Sequence, residues 1–479
     1  MMTPNWILQR AGLTPDRVAI SWGDQRWTFR EMADRAMDIA RKMRGNGLKE
    51  GDRVALLAAG GPDTVFLIHG GLLAGFELVL LNSRLTRAEL AYQIQDSEAK
   101  VVFTDDALLD LAPDSMAVSR LLSGEEEDFQ PAELWEEDRT LTIMYTSGTT
   151  GFPKGVRQTA GNHLSSAIAS ALNMGLQDGD VWLCAMPLFH ISGFSILSRS
   201  LIYGMTVRLQ TKFDAEASAE EIADGGVTRM SAVAAQLVRV LDILESRNQR
   251  ASDSFQQILA GGGPVPSPYI RRAEALGIQI LQTYGMTETS SQTATLSAED
   301  ALRKSGSSGK PLFFNRIRID GAEKPGDEGE ILISGPHVTP GYIGRFSDSP
   351  AQVDGWLHTG DIGRLDDEGF LYVLDRRSDL IISGGENIYP AEIEQVLAGH
   401  PSVAEVGVAG VEDKRWGQVP AAFVVARDAV PAEDLEVFCR ERLAPYKVPK
   451  HYQFVSELPR NASNKLLRRE LKTMLEQQE

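Results

Sequence analysis

A layered α/β fold followed by a small α+β unit is what this chain predicts, on three observations. Short β-branched or leucine-rich runs alternate with helix-length amphipathic segments over the first three quarters, the pattern of largely parallel α/β layers. From Ile317 the pattern changes to short strands and glycine-rich turns. The C-terminal stretch then repeats helix and strand signals as a compact pattern of its own. At 479 residues the chain exceeds what one ordinary core can organise, so two or more domains are expected.

In order, Arg53–Leu57 reads as a strand, Thr64–Leu73 as a helix and Glu77–Leu81 as a strand. The helical pattern of Arg87–Ser97 leads into a strand at Val101–Thr104. Val181–Ala185 is a strand, Gly193–Tyr203 a helix and Thr206–Leu209 the next strand. Gly329–Ser334 and Gly369–Leu374 belong to a smaller β subdomain that closes the large domain. Behind it, Ala391–Ala398 is helical, Val403–Gly410 and Ala421–Ala426 are strands, and Ala432–Leu443 is helical. The polar junction Asp375-Arg376-Arg377-Ser378-Asp379 separates the two regions. It sets the expected domains at 1–376 and 377–479, with a hinge near Ser378.

A formal charge of −18 argues against a nucleic-acid partner, because duplex binding needs a field that neutralises phosphates. Anions can still bind where cations and backbone N–H groups gather in one cleft. The two cysteines, Cys184 and Cys439, form neither a disulfide framework nor a metal-ligand spacing, which suits a reduced cytoplasmic compartment. Met1–Trp6 has no basic region leading into an apolar run, so no signal peptide is expected. The apolar stretch between Val54 and Leu81 is broken by Gly60, Gly61, Pro62, Asp63 and Glu77, so no membrane span is expected. Nothing in the chain opposes a homo-oligomer.

Chemistry concentrates in Tyr145-Thr146-Ser147-Gly148-Thr149-Thr150-Gly151-Phe152-Pro153-Lys154-Gly155, after the apolar run Leu141–Met144. Glycines let consecutive N–H groups converge on an anion, hydroxyls add donors, and Lys154 adds a charge. This is a polyphosphate cradle, although without the Gly-Lys-Ser/Thr ending of a Walker A loop. A polar turn without a ligand is the alternative, and the density of hydroxyls and glycines weighs against it.

The loop resembles the signature of the adenylate-forming superfamily, which includes acyl-CoA synthetases, peptide-synthetase adenylation domains and firefly-type luciferases. Further motifs follow in the family's order. Gly261-Gly262-Gly263-Pro264 and Gln282-Thr283-Tyr284-Gly285-Met286-Thr287-Glu288 resemble the adenine-and-acyl segments. Gly355–Asp361 is similar to the ribose motif, Asp375–Asn387 to the hinge and the loop after it, and Asn461–Leu466 to the C-terminal lysine motif. The resemblance implies a two-domain ligase with a mobile C-terminal domain, using ATP, Mg²⁺ and coenzyme A. Lys465 would be the cation of adenylation, Thr287 would reach the α-phosphate, and Glu288 would hold Mg²⁺. Asp361 and Arg376 would hold the ribose. Gly384, Gly385 and Glu386 would face CoA after domain rotation. Trp416 has two readings, a flank of the pantetheine path or a core aromatic. Two positions depart from the family: Asn464 stands where Gly is usual, and Ser378 where Asp or Lys is commoner.

The acid is read from Pro187–Gly193 and the helix after it. His190 stands where adenylation domains for amino acids carry Asp, so the resemblance implies a gate rather than an ammonium partner. Arg199 lies four residues after Ser195, on the same helix face. It is either a solvated arginine or an anchor for a second carboxylate, with Ser290, Ser291 and Gln292 adding polar contacts. Phe189–Gly193, Tyr203–Thr206, Asp375–Pro390 and Leu458–Leu467 closely resemble bacterial o-succinylbenzoate–CoA ligases of menaquinone biosynthesis, whose substrate carries two carboxylates. A synthetase for another aryl or medium-chain acid is the alternative, and a non-catalytic nucleotide-binding protein is a further one.

Overall fold

The β-branched and leucine-rich runs pair into two large sheets whose parallel cores are covered by helices, as burial on both faces of a parallel sheet requires. The structure is a computed structural model. It describes residues 1–479 except 148–151, 263, 264, 266, 305, 376–380, 389, 460–467, 469, 472, 473 and 475–479. Among the described residues, one sheet has nine strands. Their order is Lys310–Pro311, Ser291–Thr295, Gln279–Met286, Gln257–Gly261, Arg229–Val233, Val181–Cys184, Thr206–Leu209, Val18–Trp22 and Gln25–Thr28. Its pairings are parallel from Gln279–Met286 to Val18–Trp22 and antiparallel outside them.

The second sheet has seven strands, with Thr140–Ser147, Glu77–Leu80, Arg53–Leu57, Val101–Thr104 and Met116–Ala117 paired in parallel. Pro153–Thr159 and Gly341–Tyr342 add antiparallel edges. One apolar cluster runs from Trp6 and Phe29 through Phe66 and Phe103 to Trp182 and Phe194, fusing the layers. A five-stranded antiparallel sheet around Gly329–Ser334 and Trp356–Leu365 forms the β subdomain. The chain is therefore an α/β protein with a β subdomain and a C-terminal α+β unit.

The C-terminal unit has its own sheet and its own core of Ile381, Ile393, Val408, Val424 and Leu435. Here several bounds differ from expectation. The strands extend to Val403–Asp413 and Gly417–Ala426, because they form one antiparallel hairpin paired down to Asp413↔Gly417. Its polar tip is carried by cross-strand hydrogen bonds that hydropathy does not show. The helix expected over Ala432–Leu443 stops at Arg440. The strand expected at Gly369–Leu374 lies at Leu371–Asp375. Arg376 and Ser378, and with them the expected hinge, lie outside the described residues. Among the described residues no helix is long and apolar enough to cross a membrane.

Candidate active site

Parallel strands of both sheets end at one cleft of about 640 Å³, the place where open α/β sheets present their loops to ligands. Lys154, Glu288 and Asp361, from three different elements, all line it.

Thr146 and Lys154 face each other across paired strands, in register. The Lys154 ammonium lies 5.1 Å from the centroids of both Tyr342 and Phe346, so aromatic faces hold the cation at the rim. Ser147 ends its strand, while Gly148, Thr149 and Thr150 lie outside the described residues. Gly262 follows the strand Gln257–Gly261 into the cleft wall; Gly263 and Pro264 are not described.

The strand Gln279–Met286 closes into the turn Thr287–Thr289 and returns antiparallel as Ser291–Thr295. Thr289 Oγ1 accepts from the Met286 amide at 3.0 Å and donates to the Ser291 carbonyl at 3.2 Å, satisfying groups a sharp turn would orphan. A Cβ on Gly285 would fall 1.7 Å from the Ser291 carbonyl oxygen, so no other residue fits there. Met286, Thr287 and the buried Glu288 line the cleft from this turn. Behind it, Gln158 Nε2 donates to the Thr287 carbonyl at 2.8 Å. Tyr284 is buried beneath the turn, and its hydroxyl donates to Asp361 Oδ2 at 2.6 Å. Asp361 is thus fixed on the strand Trp356–Leu365, and an ionised carboxylate, acceptor-only, suits a diol.

His190 caps the helix Ile191–Tyr203. Its Nε2 lies 3.7 Å from Glu386 Oε2, and Arg84 pairs with the same carboxylate. Burial alone would raise the Glu386 carboxyl, but His190 and the Arg84 and Lys447 cations hold it below the ordinary range. Ser195 and Arg199 point from that helix to the cleft. Arg199 is 1% exposed. Its Nη2 donates to Gln292 Oε1 at 3.0 Å and Ser291 Oγ at 3.3 Å, and it lies over Trp182. Among the described residues no carboxylate pairs with it, and its Nε has no acceptor. Burial therefore pulls its pKa down, partly opposed by Tyr203. Ser290 and Ser291 hold φ of 49° and 109°, a region costly for residues with a Cβ, and the Arg199 contact to Ser291 Oγ helps fasten the second of them there.

Gly384, Gly385 and Glu386 reach the same cleft from the C-terminal unit. Gly384 has φ +57°, and a Cβ there would meet the Trp416 ring at 2.8 Å. Trp416 itself is 43% exposed, so it covers this loop from outside and is not a core aromatic. Lys465 and Arg376 lie outside the described residues. Arg84, Gln158, Tyr342 and Lys447 were not singled out from sequence. Each meets the site through a partner far away in the chain, and no local motif marks them.

Residues 7–343 match the AMP-binding enzyme family, and residues 392–465 match the AMP-binding enzyme C-terminal domain. The chain is 52% identical over 482 residues to the 2-succinylbenzoate–CoA ligase of Geobacillus kaustophilus, covering 98% of each chain. It is 48% identical over 478 residues to the ligase of that name from Bacillus cereus, covering 99% of each. Among solved structures, a double mutant of o-succinylbenzoate CoA synthetase from Bacillus subtilis, bound with its product analogue, matches with a TM-score of 0.94. Identity there is 46%, over 99% of this chain and 98% of that one. The same synthetase in complex with its acyl-adenylate intermediate, also at 46% identity and over 98% of each chain, gives 0.76. Equal identity with unequal superposition means two arrangements of one fold, and this chain adopts that of the product-analogue complex. Both matched segments contribute residues to the cleft, and the chain belongs to the AMP-binding enzyme family.

Proposed function

We propose that the protein is a 2-succinylbenzoate–CoA ligase, acting in menaquinone (vitamin K2) biosynthesis in the cytoplasm. It activates the succinyl carboxylate with ATP and then passes the acyl group to coenzyme A. The observation that carries the choice of acid is Arg199: a buried guanidinium at the cleft wall whose hydrogen-bond partners among the described residues are neutral. A buried cation without a counter-charge is costly, and the spectator carboxylate of a dicarboxylic substrate supplies that charge. The named relatives point to the same acid.

In the first half-reaction a carboxylate oxygen attacks the α-phosphorus and pyrophosphate leaves, with charge building on the phosphoryl oxygens. Donors preorganised around that charge lower the barrier. Thr146 to Thr150 and Lys154 cradle the leaving phosphates, Thr287 reaches the α-phosphate, and Lys465 bridges the carboxylate and the α-phosphate. Gly262, Gly263, Pro264, Tyr284, Gly285 and Met286 hold the adenine side, and Asp361 and Arg376 the ribose. Glu288 would hold Mg²⁺, which there neutralises phosphate charge. Among the described residues no group of three or more metal-binding side chains exists, and one carboxylate with phosphate oxygens is how Mg²⁺ commonly sits beside a nucleotide.

In the second half-reaction the CoA sulfur attacks the acyl carbon and AMP departs. Gly384, Gly385 and Glu386 line the thiol's approach, Trp416 flanks it and His190 gates it. Rotation of the C-terminal unit about a hinge near Ser378 exchanges Lys465 for this loop. The test is ATP–pyrophosphate exchange across a panel of acids, followed by detection of the CoA thioester. Exchange and thioester with 2-succinylbenzoate are expected. Exchange confined to another aryl or medium-chain acid would replace the proposed substrate.

A further inference from the structure

The C-terminal unit meets the large domain through a buried ion triad. Lys447 Nζ lies 2.9 Å from Glu89 Oε1 and 2.8 Å from Glu392 Oε1. The three side chains are only 6%, 9% and 10% exposed. Glu89 belongs to the large domain, in the first turn of the helix Arg87–Ser97. Its other oxygen accepts from the Thr86 amide and hydroxyl, each at 2.8 Å, so a capping box fixes the carboxylate before any docking. Lys447 and Glu392 both come from the C-terminal unit. The lysine is therefore the bridge across the boundary.

The contact around it is built. Ala444 is buried in one cluster with Leu85 and Leu90 of the large domain, and the Arg442 carbonyl lies 3.2 Å from Thr86 Oγ1, an alternative acceptor for that hydroxyl. Glu392 sits on the helix Pro390–Ala398, next to the strand Glu386–Ile388 that carries the cleft loop. Lys447 also lines the cleft and acts electrostatically on Glu386. Burial opposes the charge of Lys447, but Glu392, Tyr446 and Glu89 more than offset it and raise the ammonium's pKa, while burial and the neighbouring Glu89 raise the carboxyl of Glu392 against the pull of Lys447. A buried ion pair adds little raw stability, whereas a missing partner is expensive. Such a triad discriminates between arrangements: undocked, Glu89 and Lys447 are parted, and only the pair within the C-terminal unit remains.

We infer that Lys447, bridging to Glu89, is a positioning residue for acyl transfer to CoA. It holds the Gly384–Glu386 loop at the cleft and takes no part in adenylation. This rests on the two-step ligase reading above.

The test separates the half-reactions, using whichever acid the wild-type protein activates in the exchange panel. Should that acid not be 2-succinylbenzoate, the substrate assignment fails while the bridge is still judged. Glu89→Gln is the cleaner variant, because glutamine still serves the capping box and Lys447 keeps Glu392. Transfer of the acyl group from preformed acyl-adenylate to CoA should fall roughly tenfold or more, with pyrophosphate exchange within about twofold of wild type. Lys447→Met added to Glu89→Gln should cost much less than it does alone, since paired residues are not additive. Thermal melts of each variant identify one that has simply lost its fold. Undiminished acyl transfer in Glu89→Gln overturns the inference. So does an equal fall in both half-reactions at an unchanged melting midpoint, or full additivity in the double variant.

Discussion

Arg199 shows how a single residue can serve binding at the expense of stability. The helix Ile191–Tyr203 carries it into a wall of Trp182, Ser291 and Gln292, and among the described residues no carboxylate pairs with it there. Replacing it with methionine keeps much of the volume and removes the charge. The KM for 2-succinylbenzoate should then rise by about 1.5–3 kcal/mol of lost binding, roughly ten- to hundredfold. The KM for ATP should hardly move. The melting midpoint of the ligand-free variant should stay level or rise, because an uncompensated buried charge has gone. Steady-state kinetics with each substrate, and one melt, check both halves. An unchanged KM for the acid would take Arg199 out of the substrate pocket. The sequence allowed the residue type and helix face to be read, but not the burial: a solvated arginine has the same spacing.

Elements differ in how far they could be read. Arg87–Ser97, Arg53–Leu57, Val101–Thr104 and Thr206–Leu209 have the expected bounds, because caps or turn residues flank an unbroken run. The helix Pro62–Leu73 is a different case: every residue but Asp63 is buried. It lies inside the fused core, so its face could not be read from a polar stripe. That burial traps His69. Its folded pKa is lowered to about 4 from 6.5 by desolvation. Below pH 6.5 the unfolded chain takes up a proton that the folded chain refuses. Stability from this group is therefore complete above pH 6.5 and declines as pH falls towards 4, by about 1.4 kcal/mol per pH unit. His69→Leu should flatten the fall of the melting midpoint between pH 6.5 and 5 and leave pH 7 to 8 unchanged. Parallel curves for the two proteins would mean that the imidazole is already protonated or solvated in the fold. The loops around the cleft were legible as chemistry, from their glycines and hydroxyls. The contacts joining them were not: Arg84 meets Glu386 302 residues away, and Lys447 meets Glu89 358 residues away.

At the scale of the whole molecule, one cleft must serve two reactions that need different groups in the same place. Lys154, Glu288 and Asp361 line the cleft from the large domain, whereas the Gly384–Glu386 loop lines it from the C-terminal unit. The TM-scores of 0.94 and 0.76 at equal identity mark two arrangements of this fold, and Lys465 and Gly384 should accordingly fail in opposite directions. Lys465→Ala should abolish most pyrophosphate exchange while preformed acyl-adenylate still reacts with CoA. Gly384→Leu should do the reverse. Its backbone has φ +57°, and even a Cβ would lie 2.8 Å from the Trp416 ring, so a leucine cannot keep this loop closed. Exchange should remain. Rapid-quench measurement of each half-reaction, with the acid and ATP saturating, reads both variants on one scale. Crossed losses would mean that the two groups take turns at one centre. Parallel losses would mean that a single arrangement carries out both steps, and the two superpositions would then have no bearing on the chemistry.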